Sequence, residues 1–145
     1  LIPPLTRRYL KIRAQLNNEK QALTSSTLAG EYAVSLFTGK VYEHFYVICL
    51  NSQNKVNYAA LVHKGTINEA PVYPRLIVEA ALRHRANSVI LAHNHPGGSL
   101  KPSADDIQVT KSIAEALRTI SVKVLDHIIV AGDKYLSFAE HGLLD

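Results

Sequence analysis

Methionine and tryptophan are absent from the 145 residues, and cysteine occurs once. One thiol cannot build a disulfide framework within the chain. Its place inside the apolar run "FYVICL" marks Cys49 as a core residue of a protein from a reducing compartment. No stretch approaches 18 uninterrupted apolar residues, and the first residues lack a signal-peptide pattern, so a cytoplasmic protein without a membrane-spanning helix is expected. Internal repeats and low-complexity tracts are missing as well. Because it starts at Leu1 and has no methionine, the chain is expected to be a piece of a longer protein. Most of it also lacks an excess of either charge. The net charge of +4 comes from the first twenty residues, where Arg7, Arg8, Lys11, Arg13 and Lys20 face only Glu19. The remainder carries 11 basic and 11 acidic side chains, which weakens the case for a nucleic-acid-binding body.

What is present is the length of one domain and an ordinary apolar fraction of 47%. Leu5, Tyr9, Ile12 and Leu16 recur at helical spacing, predicting a basic amphipathic helix, and residues 17–26 read as a connector. A second helix is expected over Thr27–Phe37, with Leu28, Tyr32, Ala33 and Leu36 on its buried face and Gly39 ending it. "EHFYVICLN" reads as a buried strand, turned by "SQN" into a second strand over Val56–Val62. "KGTINEAPVYP" is loop, with room for a short strand. Leu76, Ile77, Ala80, Ala81 and His84 then predict another helix. "NSVILAHNH" is strand, "PGGSLKP" breaks it, and a helix from Ser103 to about Thr119 buries Ile107, Ile113 and Leu117. "VKVLDHIIV" and "KYLSFA" close the chain as strands around the "AGD" turn. This order is mixed rather than a regular βαβ alternation, so an α+β domain with three-layer packing is favoured over a Rossmann sheet.

The chemistry gathers at "LAHNHPGGSLKPSADD". Residues two apart on a strand share a face, so His93 and His95 lie side by side. Asp106, in the first turn of the next helix, can come back to face them. Two imidazoles and a carboxylate suit zinc, and the fourth position would hold a water of pKa about 7. Ser103 and Asp106 also fit a helix capping pattern, which needs no metal but leaves both histidines without a role. The two readings are compatible, since a cap would aim Asp106. A metallo-β-lactamase would need an aspartate where Gly97 stands, and the amidohydrolase barrel needs about 250 residues.

His93-x-His95, seven residues, Ser103, two residues and Asp106 together resemble the metal signature of the JAMM metalloproteases of the JAB/MPN family. "EHFYVICLN", "GTIN", "LAHNHPGG", "PSADD", "VLDHIIV" and "SFAEHGLL" narrow the resemblance to the C-terminal domain of the bacterial RadC family, over residues 24–145. The first 23 residues are then a helix and connector left from an upstream region. The resemblance implies a three-layer α/β/α domain of the cytidine-deaminase-like JAB/MPN fold. It further implies one zinc ion per chain on His93, His95 and Asp106. Glu43, at the head of its strand, matches the glutamate that takes a proton from the catalytic water, and Ser103 matches the serine that steadies the oxyanion. Gly97 replaces a serine common in RadC members, and Tyr73-Pro74-Arg75-Leu76 stands where "HPRE" is common; neither position is a metal ligand.

The expected activity is therefore zinc-dependent hydrolysis of an amide bond in a protein or peptide. The alternative is a DNA-repair-associated module that binds nucleic acid or protein, using the basic N-terminal helix and a metal site without catalysis. Asp126 and His127 face opposite sides of a strand, so they are not joint ligands, and one of them is a candidate to support the site from behind. His44, His63, His84 and His141 are expected to be surface or structural, and Arg83 and Arg85 to form a solvated helix end.

Overall fold

Seven consecutive buried residues make β3 (Ser88–Asn94) the middle of a five-stranded sheet. The computed structural model describes residues 21–65 and 72–144. The helix expected over residues 5–16 and part of the "KGTINEAPVYP" loop lie outside the described residues. In chain order the elements are α1 (Ser26–Phe37), β1 (His44–Leu50), β2 (Val56–Lys64), α2 (Pro74–Arg83), β3, α3 (Ala104–Arg118), β4 (Lys123–Ala131) and β5 (Lys134–Ser137). The strands lie in the order β2-β1-β3-β4-β5. Among the described strands only β3 and β4 pair in parallel, across the α3 crossover.

Alternation along the strands divides the interior into two cores. Phe45, Val47, Cys49, Val89 and Leu91 face α2 and α3, which contribute Ile77, Ala81, Ile113 and Leu117. Ile48, Leu50, Ile90, Ala92, Ile128 and Val130 face α1, which contributes Ala29, Ala33 and Phe37. The domain is thus α+β with three layers, a mixed sheet flanked by helices, as expected.

One irregularity decides which side chains reach which core. Between Val89 and Ile90 of β3 the pairing advances by one residue, but on β4 it advances from Val124 to Asp126. The extra residue, Leu125, reverses the alternation from there on. His127 therefore lies level with Leu91 on the α3 side, and Asp126 lies level with Ile90 on the α1 side. There Asp126 accepts hydrogen bonds from Ser137 Oγ at 2.5 Å, the His127 amide at 2.7 Å and the Ala139 amide at 3.0 Å, fixing the turn after β5.

Local chemistry sets the helix starts. Ser25 Oγ accepts from the Leu28 amide and caps α1. Pro74 opens α2, where its missing N–H costs nothing. The buried face of α1 differs from the expected one: Ala29, Gly30, Ala33 and Phe37 turn inward, and Leu28 lies at the edge. The reason is proximity, because a Cβ at Gly30 would overlap the Tyr135 ring of β5. Small residues let α1 lie flat on the sheet. Likewise Ile107 is half-buried, and the inward stripe of α3 is Asp106, Thr110, Ile113 and Leu117.

Candidate metal centre

Where β3 ends, its two faces carry different duties. His93 points toward α3, and the phenyl ring of Phe45 stacks on its imidazole at 5.7 Å. His95 lies just beyond the strand, but its amide still donates to the Val130 carbonyl of β4 at 2.8 Å. The alternation therefore continues one step further and returns His95 to the side of His93. Asn94, between them, points the other way. Its Oδ1 accepts from the His44 amide at 2.7 Å, and its Nδ2 donates to the Tyr42 carbonyl at 3.0 Å. Those two bonds clamp the main chain on either side of Glu43, whose own carbonyl accepts from the Gly65 amide.

The "PGGSLKP" loop then turns the chain back. Gly98 takes a left-handed φ of 93°, which its missing side chain permits, and donates its amide to the His95 carbonyl. Ser103 caps α3 reciprocally: its Oγ accepts from the Asp106 amide at 3.0 Å, and its amide donates to Asp106 Oδ2 at 2.8 Å. The cap thus aims the carboxylate. Asp106 Oδ1 lies 3.1 Å from His93 Nε2, Oδ2 lies 3.2 Å from His95 Nε2, and the two Nε2 atoms are 2.9 Å apart. Ligand atoms around a tetrahedral zinc, with bonds of about 2.0–2.1 Å, stand about 3.3 Å apart. The nitrogen–nitrogen separation and each nitrogen's approach to one carboxylate oxygen lie near that spacing, and the residues offer a nitrogen–nitrogen–oxygen set of the kind zinc takes. The side chains of His93 and Asp106 are 2% exposed and that of His95 is 16%, so the centre opens to solvent on the His95 side.

The electrostatics follow from this crowding. Burial works against ionisation of Asp106, but hydrogen bonds from His93 and His95 and from the Ser103 amide hold its carboxyl well below the usual range. The His95 pKa is raised, chiefly by its hydrogen bond to Asp106; burial opposes this, and the Ser99 carbonyl and the Asp106 and Glu43 charges add to it. Glu43 is thus within electrostatic reach of the centre. His127 is fully buried behind the ligands, and burial above all keeps its pKa far below the ordinary histidine value. A cleft of about 520 Å³ opens beside His95, lined by Phe37, Val41, Asn94, Pro96 and Val130, with Lys40 and Asp133 also on its wall.

Residues 23–143 match the sequence profile of the RadC-like JAB domain. The chain belongs to that family. Among curated proteins, this RadC-like JAB domain is 45% identical over 140 residues to a UPF0758 protein of Janthinobacterium sp. (strain Marseille), covering 97% of the present chain and 61% of that protein. It is 40% identical over 141 residues to the UPF0758 protein YeeS of Escherichia coli (strain K12), covering 97% and 95% respectively. A UPF0758 protein of Vibrio atlanticus (strain LGP32) is 39% identical over 138 residues, 60% of its length. The chain therefore spans about three fifths of two of these relatives and nearly all of the third.

The structure brings His93, His95 and Asp106 together, places Ser103 at the cap that aims Asp106, and sets Glu43 at the head of β1. The sequence reading passed over Asn94 and Thr110. Asn94 carried a signal in its alternation, which sends it to the face opposite the histidines. Thr110 carried one in its spacing of four from Asp106 on α3. Among the remaining histidines, His44 Nδ1 lies against the Tyr42 carbonyl, His84 stacks on Tyr58 and His141 Nδ1 lies against the Ser137 carbonyl. Arg83 forms an exposed pair with Glu79. Among the described residues no helix is long and apolar enough to cross a membrane.

Proposed function

We propose that this RadC-like JAB domain is a zinc-dependent hydrolase of the JAMM type that cleaves an amide bond, as a metallopeptidase or isopeptidase. The observation that carries the reading is the convergence of three donors at zinc spacing with a clamped glutamate in electrostatic reach of them. His93, His95 and Asp106 hold the ion. When bound, it supplies a Lewis acid that polarises a carbonyl and lowers the pKa of water to about 7. Glu43 takes the proton of the attacking water and passes it to the leaving amine, a general base becoming a general acid. The Ser103 oxygen accepts from the Asp106 amide, which leaves its hydroxyl proton free to donate to the developing oxyanion.

Metal analysis of the purified protein tests the ligand set. About one zinc per chain is expected, with none in His93→Ala/His95→Ala; full occupancy in that double variant overturns the assignment. Glu43→Gln should keep its zinc and lose hydrolysis, whereas Asp106→Asn should bind zinc more weakly. Zinc lost from Glu43→Gln and kept by Asp106→Asn would mean that ligand and base are exchanged. For the bond class, new peptide termini generated from a protein mixture by the wild type and absent with Glu43→Gln support peptidase action.

A further inference from the structure

The centre rests on a third histidine that is not a ligand. His127 Nε2 lies 2.7 Å from His93 Nδ1, and His127 Nδ1 lies 2.5 Å from Thr110 Oγ1. Thr110 Oγ1 in turn donates to the main-chain carbonyl of Asp106 at 2.8 Å. A carbonyl can only accept, and this fixes every proton in the row. The Thr110 proton goes to the carbonyl, so its oxygen accepts from His127 Nδ1–H. His127 Nε2 then carries a lone pair and accepts from His93 Nδ1–H. With that proton fixed on Nδ1, the neutral His93 that a metal requires has its lone pair on Nε2, directed at the metal position.

From this directed row the geometry points to His127 as a positioning residue that sets the tautomer and ring angle of His93 for metal binding. The inference rests on the reading of His93, His95 and Asp106 as metal ligands. His95 obtains the same tautomer in one step, since its Nδ1 lies 2.8 Å from the Ser99 carbonyl. His93 is too deep for a loop carbonyl to reach, and the relay through His127 and Thr110 replaces it. The relay ends on Asp106, so two ligands of the same centre are tied together behind it. Aromatic walls keep the relay rigid and dry: Phe45 stacks on His93, and Phe138 stacks on His127 at 4.4 Å. The bulge in β4, which leaves Leu125 unpaired, is what turns His127, rather than Asp126, to this side.

The test is zinc affinity by competition with a chromophoric chelator, together with imidazole ¹H–¹⁵N spectra of the zinc-loaded wild type. His127→Phe keeps the ring and removes both hydrogen bonds; zinc affinity should fall about 10–100-fold. Thr110→Val should fall in the same direction, and His127→Gln, which keeps an acceptor and a donor, should recover part of the loss. The wild-type spectrum should show His93 and His127 both protonated at Nδ1, which a merely space-filling His127 would not require. A proton on His127 Nε2 overturns the proposal even if every variant misfolds, as does unchanged affinity in a folded His127→Phe. Failure of the wild type to bind zinc overturns the metal reading and this proposal with it, whereas normal wild-type binding with an unaffected His127→Phe overturns this proposal alone.

Discussion

Cys49 is fully buried on β1 with its Sγ 3.8 Å from the Ala80 carbonyl of α2, and burial pushes its thiol pKa up to about 11. The thiolate is the reactive form, so the folded protein should resist iodoacetamide at pH 8 and be labelled only at the rate of global unfolding. Rapid labelling under native conditions would show α2 lifting from the sheet. At this scale the sequence was informative where a residue's role follows from its type and its neighbours in the chain. Cys49 in an apolar run, the His-x-His pair and the Ser103–Asp106 cap were all legible. Thr110 was not, because its partners are a side chain 17 positions away and a carbonyl whose availability depends on the helix turn. Asn94 looked like a spacer between two ligands, and its clamp on residues 42 and 44 exists only once β1 and β3 are paired.

Among the elements, α1 makes the tightest approach. Gly30→Ala places a methyl group where the Tyr135 ring already sits, so α1 must lift from β5 or the ring must move. Overpacking of this kind costs about 1–3 kcal/mol, and urea unfolding should show it as a lower midpoint. Tyr135→Ala in the same background should relieve part of the loss; additive losses would show that the two do not meet. Helix existence and approximate ends were readable from periodicity. Faces were less so, since hydrophobicity ranked Leu28 and Leu36 above Gly30 whereas the sheet selected for thinness. The same limit applied to α3, where the inward stripe includes Asp106 and Thr110 because the layer beneath them is the polar centre and not an apolar core.

For the molecule as a whole, the β1–β2 turn is held by residues 21–23. Ala22 bridges Lys55, Val56 donates its amide to the Gln21 carbonyl, Leu23 donates its amide to Asn54, and the Leu23 side chain is buried under α1. A fragment of residues 27–145 should therefore be less stable than one of residues 21–145. It loses a buried leucine, worth about 2–5 kcal/mol, and the Ser25 cap, worth about 1 kcal/mol. Thermal unfolding of the two fragments checks this, and equal midpoints would mean that the strap contributes nothing. The three-layer arrangement was legible because element order and the family resemblance agreed. The sidedness of β4 was not, since "VLDHIIV" shows no trace of where an extra residue is absorbed. That strand has something like a reading frame. Pairing Leu125 with Ile90 in regular register, in place of bulging it out, would shift the strand by one, bring Asp126 level with Leu91 in place of His127, and send Ile128 and Val130 out of the core under α1. The identity of the group behind the metal is thus written in which residue the strand skips as much as in a residue type, and smoothing out that one bulge would rewrite it.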